Sequence, residues 1–223
     1  TATTEIYTLS LHDALPILKN VYRWMAAGLA LTGIVALGVA SNPRYIGAIF
    51  SNRLVFFALL FAPVGIVIYL SARIGTLSAG AATLWFAVYA ALNGVTLSII
   101  FLAYTGTSIA ATFFISAGTF AAMSVYAVTT KRDLSSISSY LVMGLWGVII
   151  ASLVNMFLKS PAFDWLISLI GVAVFIGLTA YDTQVIKNWN AQAGYADDES
   201  VFVRVSIMGA LKLYLEFINL FLF

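Results

Sequence analysis

Cysteine is absent from the 223 residues, and His12 is the only histidine. Disulfide scaffolds, thiolate nucleophiles, zinc ribbons and iron–sulfur ligation are thereby excluded. A histidine base or a histidine-ligated metal is excluded from everything beyond the N-terminal stretch, and any cation held deeper in the chain must take oxygen ligands. Charge is scarce as well, at 9% of residues where an average globular chain carries about a quarter. Eleven Lys and Arg against nine Asp and Glu is too even a balance for a nucleic-acid binder. What is abundant is apolar side chain, 62% of the residues, with a mean hydropathy of +1.00. These values exclude a water-soluble domain, and the length suits about seven membrane spans of ~20 residues joined by short connections.

Intervals without charge mark the spans, because a charge in hydrocarbon is costly whereas apolar surface is not. Helix 1 is expected over 21–40, with Arg23 near enough to its start to snorkel and Ser41-Asn42-Pro43-Arg44 as the stop. Helix 2 is expected over 54–72, kinked at Pro63. No charged residue occurs from Ile74 to Thr130, so two spans, 77–103 and 108–129, share that interval across a turn at Tyr104-Thr105-Gly106-Thr107. Lys131-Arg132-Asp133 closes helix 4, helix 5 follows over 137–158, and Lys159-Ser160-Pro161 leads into helix 6 over 163–186. A polar loop with Asn188, Asn190, Gly194 and Asp197-Asp198-Glu199 precedes helix 7. That helix begins near Val201 and is still apolar at Phe223, so the native chain is expected to continue further. Gly28, Gly33 and Gly38, with plentiful Ala and Ser, suit close helix packing in lipid.

The first 18 residues, TATTEIYTLSLHDALPIL, lack a basic segment ahead of an apolar core and lack a small-residue cleavage pattern, so a cleaved signal peptide is not expected. They read as an interfacial or disordered tail with nothing to mark it as native, ahead of a membrane domain over 19–223. Orientation follows from Lys and Arg in alternate connections. Lys19, Arg23, Arg73, Lys131, Arg132, Lys187 and Arg204 fall on one side, and Arg44, Arg53 and Lys159 on the other. The excess predicts a cytoplasmic N-terminus.

Few ionisable groups remain at membrane depth: Asp182 in helix 6, Lys212 and Glu216 in helix 7, and Arg73 at the end of helix 2. An ionisable residue inside a span is a functional hypothesis by default. Gly209, Lys212, Glu216 and Asn219 recur at spacings of three and four, so they form one small or polar stripe, and Thr179, Asp182 and Thr183 share a face of helix 6. Asp182 and Glu216 reach a common depth if the first turn or two of helix 7 stands above the membrane. The competing expectations are a local Asp182–Lys187 pair, an i, i+4 pair of Lys212 with Glu216, and Arg73 as a plain positive-inside anchor. Two carboxylates close together in low dielectric cannot both ionise cheaply, so their joint charge depends on pH. In the ionised state they offer oxygen ligands to a hard cation such as calcium. Tyr181 and Tyr214 are assigned packing roles.

Three segments in order, TKRDLSSI at 130–137, GLTAYDTQVIK at 177–187 and LYLEFINLF at 213–221, resemble the Bax inhibitor-1 family, the transmembrane Bax inhibitor motif proteins, and its bacterial members most. The resemblance covers 19–223. It implies an all-α bundle of seven transmembrane helices with the last one central, and a pH-sensitive calcium leak in which calcium and protons are the ions handled and no cofactor is used. It implies a paired-acid sensor, matched here by Asp182 and by Glu216 where many members have Asp, and a helix 2 arginine acting as a latch, matched by Arg73. Lys212 and Asn219 are candidate auxiliaries. The implied location is the bacterial inner membrane. A second reading is a non-enzymatic regulator that binds a membrane quality-control protease or another membrane partner. An intramembrane aspartyl protease, suggested by Tyr181-Asp182, lacks the required GxGD on a neighbouring span.

Overall fold

The computed structural model describes residues 11–193 and 198–223. The first ten residues, and Gly194 and Asp197 of the acidic loop, lie outside that set, as do the side chains of His12 and Asn190. Every regular element among the described residues is helical. Seven helices are long and apolar enough to span a bilayer. They are α1 (Leu11–Ala40), α2 (Arg53–Arg73), α3 (Ala79–Leu97), α4 (Gly106–Thr129), α5 (Ser138–Leu158), α6 (Pro161–Ala193) and α7 (Glu199–Leu222). Short helices fill three connections, at Pro43–Ser51, Ile100–Ala103 and, as a 3-10 turn, Leu134–Ile137.

The boundaries follow from local chemistry. Asn52 caps α2 by accepting from Leu54 N at 3.0 Å, Ser78 caps α3 through Ala81 N, and Thr105 caps α4 through Ser108 N. The expected turn at 104–107 is therefore the start of α4. Pro43 and Pro161 open helices at positions where a missing N–H costs nothing, and α2 runs as one helix through Pro63. Lys159 ends α5 in the left-handed conformation, φ 51°. Three ends differ from expectation. α1 begins ten residues earlier than 21, because Ile17, Leu18, Val21 and Met25 form one helical stripe that is buried in the core. α6 continues past Ile186 to Ala193, and α7 starts at Glu199, with Asp198 accepting from Ser200 N at 2.8 Å as its cap.

α7 is the core of the bundle. Its most apolar window is 56% buried, against at most 33% for the other spans. It packs on α1, α3, α4 and α6 and lightly on α2, while α5 docks on α6 from outside. Close approaches are made by glycine: a Cβ on Gly94 of α3 would stand 2.6 Å from the Thr32 carbonyl oxygen of α1, and one on Gly28 would stand 2.7 Å from Phe86. Gly33 and Gly38 face open space, so of the three regularly spaced glycines only Gly28 permits close packing. The Thr32 hydroxyl meets Tyr214 Oη at 2.7 Å and the Ala90 carbonyl at 2.8 Å, which ties α1, α3 and α7 at the centre. Outward faces carry Phe61, Ile68, Phe114, Met143, Trp146 and Phe157, all more than half exposed. Such a surface is stable in lipid and not in water.

Candidate functional site

Five hydrogen bonds gather one end of the bundle, the end bearing the lysine- and arginine-rich set. Gln184 of α6 accepts from Leu134 N at 2.8 Å and donates to the Arg132 carbonyl at 2.8 Å, clasping the α4–α5 connection. Lys187 donates to the Val128 carbonyl at 2.9 Å. Arg204 of α7 donates to the carbonyls of Gly75 and Leu77 at 3.2 and 2.9 Å, holding the α2–α3 turn. The segments 130–137 and 177–187 thus meet in space.

One to two turns inward, Lys212 Nζ of α7 lies 3.0 Å from Asp182 Oδ1 of α6. The Asp182 side chain is 11% exposed and that of Lys212 32%, with the ammonium 5.9 Å from the centroid of Trp189. The Glu216 carboxyl faces the Asp182 carboxyl and the Thr179 hydroxyl, with Lys212 in electrostatic reach. Its Oε2 is buried and receives no hydrogen bond. One ammonium therefore serves two carboxyls, so the trio carries a net negative charge unless it takes up a proton or a cation. A carboxyl facing a carboxyl finds no donor there until one of them is protonated. Asp182 and Glu216 do share a site, and neither local pairing occurs: Lys187 is taken by Val128, and Lys212 reaches across to α6 instead of along its own helix.

Two sequence candidates fall elsewhere. Arg73 is exposed at the last residue of α2, one turn beyond the buried Leu70, and makes no ion pair or side-chain hydrogen bond among the described residues. A guanidinium outside the packed layer keeps its hydration, which burial beside the carboxyls would remove. The tie between the end of α2 and α7 is made by Arg204 instead. Asn219 spends its donor on the Leu215 carbonyl of its own helix at 2.8 Å and is not part of the trio. Gln184 and Arg204 were not picked out from sequence; Gln184, an uncharged polar residue two positions after Asp182, was the available signal.

Two openings flank the trio. A cavity of about 380 Å³ is lined by Ile74, Gly75, Trp189, Arg204 and Met208, on the Lys212 side. A groove of about 1120 Å³ runs between α1 and α4, from Pro16 and Lys19 to Phe113, with Phe217 of α7 in its floor. Deeper along α7 the surroundings are apolar: Phe113 and Phe120 pack on Phe217 ring to ring at 5.4 and 5.6 Å, beside an apolar cavity of about 100 Å³ that Phe113 and Phe217 line.

Comparison with known proteins identifies the family. Residues 16–223 match the family described as "Inhibitor of apoptosis-promoting Bax1". The chain is 50% identical to Inner membrane protein YbhL of Escherichia coli (strain K12) over 205 residues, covering 92% of this chain and 87% of that one. It is 46% identical over 206 residues to an uncharacterized protein of Borreliella burgdorferi, with 92% and 88% covered. It is 47% identical over 204 residues to uncharacterized protein RP147 of Rickettsia prowazekii, with 92% and 85% covered. A bundle with seven candidate membrane spans, matched by the family model over residues 16–223 and by relatives along most of its length, places this chain in the Bax inhibitor-1 family.

Proposed function

We propose that the protein is a pH-sensitive calcium leak of the inner membrane, not an enzyme, gated by the Asp182–Glu216 carboxyl pair, with the N-terminus and the lysine-rich end cytoplasmic. The observation that carries the reading is a buried pair of facing carboxyls with a single counter-ion, Lys212, and an oxygen of Glu216 that lacks a donor. One proton shared by the pair supplies that donor, and its loss adds a charge at the bundle centre that draws a hard cation. Calcium, the cargo, gains two carboxylates as ligands only when Lys212 releases Asp182. On this reading the ring contacts of Phe113, Phe120 and Phe217 part for the ion to cross. The orientation rests on the positive-inside excess.

The test is calcium flux into dye-loaded liposomes containing the purified protein, across a pH series. Wild type conducts with a pH dependence that Asp182→Asn and Glu216→Gln each flatten. Absence of flux at every pH rejects the leak and leaves the regulatory, partner-binding reading; flux with an unchanged pH profile in both variants rejects the carboxyl pair as sensor.

A further inference from the structure

Glu216 Oε2 is not the only buried oxygen without a partner. Tyr22 Oη of α1, Ser124 Oγ of α4 and Thr183 Oγ1 of α6 are buried and make no hydrogen bond. Ser124 is 6% exposed, Thr183 is fully buried and Glu216 is 5% exposed. Three of them are one cluster: Tyr22 Oη faces the hydroxyls of Ser124 and Thr183, with Glu216 in electrostatic reach. Three helices thus each direct a hydroxyl to the same place, beside a fourth that bears Glu216. Buried hydroxyls are satisfied in most proteins, and a site with three convergent hydroxyls meets the two to four polar partners that a bound water requires.

The groove between α1 and α4 leads to this cluster. Its wall includes Lys19 and Thr129 near the lysine-rich end, then Tyr22 and Ser124 about one turn deeper, and it is otherwise apolar. Lys19 and Tyr22 are three apart and so share a face of α1. The other cavity, lined by Arg204 and Trp189, lies on the side of Lys212, whose ammonium is 5.9 Å from the Trp189 centroid and 3.0 Å from Asp182, and none of the four unpartnered oxygens lines it. The charged or titratable groups facing Glu216 among the described residues are Asp182 of α6, Lys212 of its own helix and Tyr22 of α1; α4 contributes only the Ser124 hydroxyl.

We propose that Tyr22, Ser124 and Thr183 form a water-binding site on Glu216 that passes protons between the α1–α4 groove and the carboxyl pair. The hydroxyls can each donate and accept, so the water takes up one proton from the groove side as it releases one toward Glu216 Oε2, and no bond to carbon changes. Gating and proton access then reach Glu216 from different neighbours: the Lys212–Asp182 pair, and the hydroxyls that α1 and α4 bring in beside Thr183. This inference rests on the carboxyl pair being the proton sensor.

The test is infrared difference spectroscopy of the reconstituted protein on transfer from water to deuterated water, following the stretch of the protonated carboxyl. Glu216→Gln identifies the band. The expected result is that Tyr22→Phe combined with Ser124→Ala slows deuterium uptake by that band several-fold. A second arm avoids any question of folding: the chain has no cysteine, so Ala121→Cys, in the groove wall, is labelled with a bulky maleimide after reconstitution and slows uptake relative to the same unlabelled protein. A band that exchanges at the wild-type rate in both arms overturns the hydroxyl site while leaving the carboxyl pair standing. If no band disappears in Glu216→Gln, the pair reading fails, and the access site fails with it.

Discussion

Lys212 reaches from α7 to Asp182 on α6, Nζ to Oδ1 3.0 Å, and not to Glu216 one turn along its own helix. The choice leaves the more buried carboxyl without a cation. Asp182, at 8% exposure, is the partner that a third-exposed ammonium can serve without full desolvation, whereas Glu216, at 5%, would require deeper desolvation of the lysine.

Removing the cation should therefore expose the cost of a stranded carboxylate. Lys212→Met is expected to lower stability by about 1–3 kcal/mol, less than the 3–5 or so of a fully buried pair because water screens this one. Adding Asp182→Asn should recover part of the loss, since the second substitution removes the stranded charge. Denaturant titration of the detergent-solubilised variants measures both, and strict additivity would show that the two groups do not interact.

The Gln184 clasp is a purely neutral contribution. Gln184→Ala leaves Leu134 N–H and the Arg132 carbonyl without their partners, which costs about 1–3 kcal/mol where water cannot replace them. The expected result is a lower unfolding temperature, with faster amide exchange confined to 130–137. Gln184→Glu keeps the acceptor but loses the donor, so it should fall between the two.

Helix contact gives a prediction with an internal control. Alanine at position 94 pushes its Cβ against the Thr32 backbone, which cannot swing aside, so Gly94→Ala should destabilise by about 1–3 kcal/mol. Gly33 meets nothing within 4 Å, and Gly33→Ala should be neutral or slightly stabilising through helix propensity. Thermal unfolding of the two variants decides the matter, and equal effects would contradict the packing.

The seven spans were legible because charge avoids hydrocarbon, so gaps between charges mark helices without reference to tertiary structure. Asp182 and Glu216 were legible for the same reason, and their meeting followed from stripes on two antiparallel helices. Arg73 was misplaced because a charge at a helix end is equally at home in solvent, and sequence spacing does not tell whether the packed layer ends before or after it. Gln184, Arg204 and the hydroxyls of Tyr22, Ser124 and Thr183 escaped because their significance depends on which helices become neighbours. The early start of α1 was hidden by Pro16 and by a charge-based boundary that ignored the stripe through Ile17 and Leu18.

Asp198 supplies a pH dependence outside the membrane. The Ser200 hydroxyl and its backbone N–H hold the carboxyl below the usual carboxylate range. Because the folded value lies below that of the unfolded chain, the cap stabilises the first turn of α7 in full at neutral pH and is lost as pH falls through the folded value. Amide exchange at Ser200 and Val201 should accelerate on acidification in wild type. Asp198→Asn, a neutral cap, should remove the pH dependence, and Asp198→Ala should show fast exchange throughout; identical profiles in all three would reject the cap.

Arg204 and Arg73 separate two accounts of how the basic end is held shut. Arg204 clamps the α2–α3 turn onto α7 through the carbonyls of Gly75 and Leu77, whereas Arg73 is exposed and makes no ion pair or side-chain hydrogen bond among the described residues. Arg204→Ala removes two charge-assisted hydrogen bonds and frees that turn to separate from the helix bearing Lys212 and Glu216. The expected result is a higher basal calcium flux in liposomes, together with faster alkylation of a cysteine placed at Gly75. Arg204→Lys should restore the closure only in part, because both bonds are made by the terminal Nη1 of the longer arginine side chain, which a lysine ammonium does not fully reach. Arg73→Ala should change neither flux nor alkylation. If Arg73→Ala raises flux and Arg204→Ala does not, the latch lies on α2 after all, and the contact seen between Arg204 and the turn does not control the path.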